Sequence, residues 1–234
     1  MKRSATIVVN APTTGKRSKS KTSSSKKQTF KVPRWAGLNK TGFPKELTIR
    51  HRYVSPLSLV SSAGALTSHS FSCNGMYDPD VSGTGSQPLY FDQVAAIYNH
   101  YTVTNSKITV QICPRTQVMS SYGLAGVFIN DDATVTPASS DRLAEQSSAS
   151  YTMLTGFNQD PVKLRRSWSA KQNFGTNPLG DPNLQGTASA NPTEQQMFTI
   201  WYQELGGGAS SRVDAIVTLE YTAVWQELKD IGGS

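Results

Sequence analysis

The chain has 234 residues, a formal net charge of +7 and a hydrophobic fraction of 37%. That length allows one large β domain or at most two small domains. No apolar run approaches the ~20 residues of a membrane-spanning helix, so we expect a soluble, intracellular product without membrane insertion. The two cysteines, Cys73 and Cys113, form no CxxC pair and no disulfide framework; we expect both to be buried as small hydrophobic side chains.

Charge is distributed unevenly along the chain. Residues 1–52 contain 14 Lys and Arg and a single acidic residue, Glu46, which gives a local balance of +13. The remaining residues have a balance of −6. A cationic segment attached to a mildly acidic body indicates a polyanionic partner for that segment.

Residues 1–45 are predicted to form a disordered basic arm, and residues 46–234 the folded body. The stretch 10–31, NAPTTGKRSKSKTSSSKKQTFK, cannot bury enough apolar surface to offset the entropy of ordering. Mobile cations of this kind neutralise phosphates without sequence specificity, so we predict nucleic-acid binding by the arm. Its predicted contact residues are Lys2, Arg3, Lys16, Arg17, Lys19, Lys21, Lys26, Lys27, Lys31, Arg34, Lys40 and Lys45.

The arm also contains a candidate nuclear localisation signal. "KRSKSK", followed by "KK" after a Ser-rich gap, is typical of a bipartite basic signal for host import receptors. A tail that only maintains solubility is the third alternative, but a dozen cations before the first acid exceed what solubility requires. The signal residues are Lys16, Arg17, Lys19, Lys21, Lys26 and Lys27.

Beyond residue 45 the pattern is that of an all-β fold. Short runs rich in Val, Ile, Thr, Tyr and Phe are separated by Gly, Pro, Asn and Ser clusters. Predicted strands begin at Leu47 and span 66–74, 100–113, 122–130, 148–157, 161–172, 194–205 and 212–228, and 173–193 is predicted to be a surface loop. About eight strands indicate a single jelly roll of two packed antiparallel sheets, with a short helix in an inter-strand loop.

Two groups of cations fall on strand faces. Arg50 and Arg52 share a face at the root of the arm, and we predict that they extend its nucleic-acid-binding surface. Lys163, Arg165 and Lys171 share a face of the predicted strand 161–172. For all five, an ordinary solvated sheet face is the alternative.

The segment YDPDVSGTGSQPLYFDQ, residues 77–93, resembles a calcium-binding loop in its first half. Asp78, Asp80 and Ser82 have ligand spacing, but the twelfth position, where such a loop needs a bidentate Glu, is Leu89. We therefore interpret it as a turn whose two carboxylates accept backbone N–H bonds.

The second half of this segment predicts the short helix. Ser86 is in place to cap it and Pro88 suits a first turn. Phe91, Val94, Ala95 and Tyr98 have the spacing of one apolar helix face. Residues 139–146 predict another short helical turn.

No catalytic site is indicated. His51, His69 and His100 lie in separate predicted strands, without a second His at metal-ligand spacing. The sequence has no nucleophile elbow and no phosphate-binding loop. We expect no catalytic residues, no metal and no cofactor.

The stretch FSCNGMYDPDVSGTGSQPLYFDQVAAIYNHYTV, residues 71–103, resembles the capsid proteins of circovirus-like, replication-protein-encoding circular single-stranded DNA viruses. In that group a strand runs into a Tyr-Asp-Pro loop, a Gly-x-Gln-Pro-x-x-Phe-Asp-Gln element, a short helix and a Tyr-x-Val strand. Many members have Gly where this chain has Tyr90. The matching residues are Tyr77, Asp78, Pro79, Gly85, Gln87, Pro88, Phe91, Asp92 and Gln93.

The resemblance implies a jelly-roll coat protein, sixty copies of which close an icosahedral shell around a single-stranded circular DNA genome. The expected partners are other copies of the chain, the genome, import receptors and an unknown host cell receptor, and the expected locations are the virion and, during assembly, the host nucleus. The alternatives are a coat protein of a small RNA virus, a non-viral or lectin-like β-sandwich binding module with a nucleic-acid-binding tail, and an enzyme whose site the sequence does not reveal.

Overall fold

The computed structural model describes residues 42–83, 85–115, 122–135, 139–155, 160–175, 177–206 and 210–230. Within them the chain forms nine strands and three short α-helices. The strands are β1 (Glu46–Ser61), β2 (Thr67–Ser72), β3 (Tyr98–Arg115), β4 (Tyr122–Asn130), β5 (Ser150–Thr155), β6 (Val162–Ser169), β7 (Gln185–Thr187), β8 (Met197–Glu204) and β9 (Ser211–Leu228). The helices are α1 (Phe91–Ala95), α2 (Ser140–Ala144) and α3 (Ala170–Phe174). None of these described helices is long and apolar enough to cross a membrane.

The strand order is that of a jelly roll. The first sheet has the order β1-β9-β3-β6, with β7 paired to β3 alone, and the second sheet has the order β2-β8-β4-β5. The hairpin β4–β5 is therefore nested inside the antiparallel pairs β3–β6, β2–β8 and β1–β9, as in a long hairpin rolled up into two sheets. The predicted fold class is confirmed; the three-residue strand β7, within the predicted loop 173–193, is additional.

The main core lies between the two sheets, because each strand of the first sheet alternates apolar and polar residues. In β9, the odd-numbered residues from Val213 to Tyr221 are buried, whereas the even-numbered residues between them are at least partly accessible. From the second sheet, Phe198 and other inward-facing side chains meet this layer.

A second, smaller core lies on the far side of the second sheet. There Phe128 and Trp201 are buried beneath helix α2, which contributes Leu143. Helix α2 lies within the predicted helical turn 139–146.

Two predictions about single residues are wrong. Cys73 is buried, but Cys113 is exposed, because its neighbour Ile112 faces the core and alternation turns Cys113 outward. Lys171 does not continue the face of β6, because the strand ends at Ser169 and α3 begins. Gly175 follows the last helical residue, Phe174, and adopts the left-handed conformation typical of a helix C-terminus.

Candidate nucleic-acid interface

Three of the predicted contact residues lie in the described part of the chain: Lys45, Arg50 and Arg52. The predicted arm residues from Lys2 to Lys40, including the whole candidate nuclear localisation signal, lie outside the described residues. Lys45 is exposed just before β1. Its preceding carbonyl, that of Pro44, accepts a 2.8 Å hydrogen bond from the Tyr98 hydroxyl, which attaches the root of the arm to the body.

Strand β1 turns Arg50 and Arg52 outward. Both side chains are exposed, whereas the alternating neighbours His51 and Tyr53 are only 3% and 4% exposed. The prediction that the two arginines share one face is therefore confirmed. This face is the outer face of the first sheet, away from the second sheet.

Strand β3 adds Lys107, which the sequence did not predict as a contact residue. Pairing with β9 shifts its register between Val103 and Asn105, so that Thr104 forms a β-bulge. Before the bulge Tyr101 and Val103 are buried, and after it the buried residues have even numbers, which leaves Lys107 exposed. The alternation of buried Ile108 with polar neighbours was the signal that could have placed Lys107 on the polar face.

Strand β6 completes the cationic surface. Lys163 and Arg165 are exposed and pair with Gln111 and Thr109 of β3, which face the same way. We call the five residues Arg50, Arg52, Lys107, Lys163 and Arg165 the cationic face. Lys171 is exposed on α3, at the end of β6.

One acidic residue, Glu220 of β9, lies among the residues of the cationic face, between Arg52 and Lys107 in the sheet register. Arg52 donates to Glu220 at 2.8 Å, but both side chains are largely exposed, at 68% and 45%. Such a surface pair contributes little to stability and leaves the arginine accessible to another anion. Residues that are paired across β1, β9, β3 and β6 form rows that run perpendicular to the strands. The four outward-facing rows from that of Arg50 to that of Lys163 carry five cations and one carboxylate.

A shallow groove of about 740 Å³ crosses this face beside Arg50, Arg52 and Lys107. The neutral residues that line it include hydroxyl and amide side chains: Asn105, Ser167, Ser169, Gln172 and Thr222. Guanidinium, ammonium, hydroxyl and amide groups are the side chains that bind phosphate and sugar oxygens. The residues that face outward in these four rows include no aromatic side chain on which a base would stack. The arrangement suits a nucleic-acid backbone rather than base edges.

The loop at 77–93 is a structural turn. Asp80 accepts the backbone N–H of Ser82 at 3.0 Å, as predicted for a turn, and lies 2.8 Å from Nε2 of His69. Atom Oδ1 of Asp78 has no hydrogen-bond partner among the described residues. Burial and the neighbouring Asp80 charge raise the pKa of Asp78. Over the described residues no group of three or more His, Cys, Asp or Glu is placed to bind a metal.

Asn191, from a distant loop, holds this turn in place. Its side chain accepts the backbone N–H groups of Tyr77 and Asp78 at 3.0 and 3.2 Å and donates to the Asp78 carbonyl at 2.9 Å. The buried hydroxyl of Tyr101 accepts the N–H of Met76 at 2.8 Å. Burial raises the pKa of Tyr101, so this hydroxyl stays protonated.

The short helix begins later than predicted. Ser86 does not cap it, and Pro88 precedes it, with the Pro88 carbonyl accepting the N–H of Phe91 at 3.0 Å. Tyr90 occupies the N-cap position with φ of 67°, in the left-handed region. The predicted fourth apolar residue, Tyr98, is buried but belongs to β3.

Two further residues of the sequence motif, Gly85 and Phe91, make close contacts with the body. Gly85 allows a close approach, because a Cβ there would lie 2.8 Å from Cβ of Asp80 and 2.9 Å from the Tyr53 hydroxyl. Phe91 is buried, and its ring centroid lies 5.6 Å from that of Tyr101. Pro79 is buried, Gln87 is partly buried, and Asp92 and Gln93 are exposed on α1. The motif mainly fixes the chain path between β2 and β3.

Each histidine has a partner within the chain. The indole N–H of Trp225 donates to Nε2 of buried His51 at 3.1 Å. His69 pairs with Asp80, and Nδ1 of His100 lies 3.4 Å from Glu227.

No protein-family model matches the sequence, and no curated protein matches it. Solved structures that are similar to this chain include viral ones. The BFDV capsid protein, solved as a 60-mer, has 12% identity and a TM-score of 0.47 over 82% of this chain and 100% of that chain. For Cocksfoot mottle virus the identity is 11% and the TM-score 0.46, over 78% and 96%. For Turnip yellow mosaic virus they are 13% and 0.44, over 81% and 98%.

Proposed function

We propose that this chain is a viral coat protein that assembles into a closed shell and packages a single-stranded genome. The observation that carries the proposal is the continuity of charge from the arm to the body. Residues 1–45 contain twelve Lys and Arg and no acid, and the chain then enters the strand that presents Arg50 and Arg52 on the cationic face. The resemblance of residues 71–103 to circovirus-like capsid proteins gives the class of virus.

The charge is of the right order for packaging. If sixty copies close the shell, as the resemblance implies, their arms supply about 720 positive charges. Such a total would neutralise much of a genome of roughly a thousand or more nucleotides. The arm and the cationic face would then line the inside of the shell, and the loops of the body would meet neighbouring copies and the host receptor.

We propose that the genome is circular DNA, and this point is supported by the resemblance alone. Lysine and arginine neutralise the phosphates of RNA equally well, so an RNA virus coat protein is the second candidate. Expression of the full chain, followed by electron microscopy and sequencing of nuclease-protected nucleic acid, tests both points. Uniform particles are expected; a chain that stays monomeric at high concentration and moderate salt would rule out the coat-protein function and leave a binding module.

We also propose that the arm directs the protein to the host nucleus. A fusion of residues 1–35 to a fluorescent reporter should accumulate in the nucleus of a eukaryotic cell. Replacement of Lys16, Arg17, Lys26 and Lys27 by Ala should return it to the cytoplasm. Cytoplasmic fluorescence of the unmodified fusion would contradict nuclear import.

A further inference from the structure

One carboxylate, that of Glu220, lies among the five cations of the cationic face. Glu220 belongs to β9, the strand between β1 and β3, and is paired in register with Arg52 on one side and with Lys107 on the other. No other acid occurs in the four outward-facing rows, all of whose residues the structure describes. This carboxylate repels phosphate at the surface that is proposed to bind it.

The formation of strand β9 does not account for the glutamate. Its outward-facing neighbours along the strand are Thr218 and Thr222, and threonine is enriched in strands whereas glutamate is depleted. A third threonine would therefore suit the strand at least as well. The ion pair of Glu220 with Arg52 is exposed, at 45% and 68%, and contributes little to stability. The carboxylate is better explained by its effect on what binds to this face.

Glu220 occupies Arg52 in the way that a phosphate would. Atom Nη2 of Arg52 donates to Oε1 of Glu220 at 2.8 Å. A carboxylate and a phosphate both offer anionic oxygens to the guanidinium fork, so the two anions compete for the same N–H groups. Arg52 and Glu220 both line the groove that crosses the cationic face. The competition therefore takes place where a nucleic-acid strand would lie.

We propose that Glu220 is an internal competitor of the nucleic-acid phosphates. In the free chain its carboxylate holds Arg52, and when a strand binds, a phosphate displaces the carboxylate into solvent. This inference rests on the proposed function, because it concerns the same surface. The competition lowers the affinity of each copy, so a strand can leave the face and bind again while it is packed into the shell.

Glu220→Gln should strengthen the binding of a single-stranded oligothymidylate to the unassembled full chain. We expect the affinity to rise about three- to fivefold, a modest factor because an exposed ion pair is weak. The slope of log K against log salt should become steeper by about 0.7, because Arg52 then makes one further phosphate contact. Fluorescence anisotropy over a salt series measures both quantities.

Glu145→Gln is the matched control. Glu145 follows helix α2, on the far side of the second sheet, and forms an exposed ion pair with Arg142 at 3.1 Å. Its replacement removes the same charge from the same kind of pair, so the affinity for the oligonucleotide should stay unchanged. Both variants should keep the thermal unfolding midpoint of the unmodified chain. Equal gains in affinity would show that only net charge matters and would overturn the proposal.

A double-mutant comparison tests whether the competition acts through Arg52. In the unmodified chain, where Glu220 already occupies the arginine, Arg52→Gln should lower the affinity by less than about twofold. In the Glu220→Gln chain the same substitution should remove the whole gain in affinity. Equal factors in the two chains would show that the carboxylate does not act by occupying Arg52, which contradicts the proposal.

The outcomes distinguish this inference from the proposed function. If the unmodified chain does not bind the oligonucleotide at all, packaging by this chain is contradicted and the competition fails with it. If the unmodified chain binds and Glu220→Gln binds no more tightly, only the competition is wrong, and packaging by the arm is unaffected.

Discussion

At the scale of single residues, the cationic face depends on where neighbouring strands place their charges. Arg50 and Lys107 come from β1 and β3, which are separated in the sheet by β9. Between them β9 offers the neutral Thr222 and the single carboxylate of Glu220. Because that carboxylate pairs with Arg52 at the exposed surface, an incoming phosphate competes with it at low cost.

Removal of two cations from the face should weaken binding in a way that salt reveals. For Arg50→Gln combined with Lys107→Gln, the slope of log K against log salt for a single-stranded oligonucleotide should become less steep by about 1.4. The reason is that binding releases fewer counterions when two phosphate contacts are lost. Fluorescence anisotropy over a salt series measures the slope. Arg142→Gln, on helix α2 away from this face, is the control; an equal change in both proteins would show that the face is not a binding surface.

Protonation of His51 should destabilise the fold. Burial lowers the pKa of His51, although a hydrogen bond to the Leu89 backbone opposes this in part. The unfolded chain therefore takes up the proton near pH 6.5, whereas the folded chain takes it up only at lower pH. The stability contribution is fully present above that pH and is lost as pH falls, because protonated Nε2 cannot accept the N–H of Trp225.

Urea unfolding at about pH 7.5 and about pH 5.5 measures this effect. The unmodified protein should lose more free energy of unfolding between the two than His51→Gln, whose side chain does not titrate. The rest of the chain is the same in both proteins, so the difference between them isolates His51. Identical losses would contradict the assignment.

At the scale of elements, helix α1 and the turn before it connect the two sheets. The helix is only five residues long and has no side-chain cap. Its stability comes from tertiary packing, since an isolated helix of this length does not persist in water. Phe91 supplies that packing against Tyr101 and Trp225.

Phe91→Ala should lower the free energy of unfolding by about 3 kcal/mol or more, because it removes a fully buried ring from a packed core. Chemical denaturation of the unassembled protein gives this value. As a control, Tyr151→Ala, on an exposed ring, should change stability by less than about 0.5 kcal/mol. A normal stability for Phe91→Ala would contradict the position of the ring in the core.

The sequence predicted which strands and helices form more accurately than it predicted the residues at which they begin and end. Strand β4 was placed correctly at 122–130 because two serines precede an apolar run and Asp131 and Asp132 follow it. The helix start was misplaced: Ser86 and Pro88 have the right residue types, but Tyr90 in a left-handed conformation begins the helix, and the choice of that conformation depends on tertiary packing. Lys171 was misplaced because a strand pattern continues through Trp168 and nothing local marks the turn into α3.

At the scale of the whole molecule, the cationic face lies on the sheet that contains β1, the strand that follows the basic segment 1–45 in sequence. Alternation of side chains along a strand was enough to predict which residues lie on that face for Arg50, Arg52, Lys163 and Arg165. For Lys107 it was harder, because the bulge at Thr104 reverses the alternation within one strand.

Packaging by the arm is the central claim, and deletion of residues 1–35 tests it most directly. The deletion removes ten of the twelve cations of the arm and leaves the whole described body intact. Particles of the full chain and of the truncated chain, purified in parallel, are compared by electron microscopy and by their nucleic-acid absorbance ratio. The truncated chain should still form shells, but these should be nearly free of nucleic acid. Truncated shells with an unchanged absorbance ratio would contradict packaging by the arm.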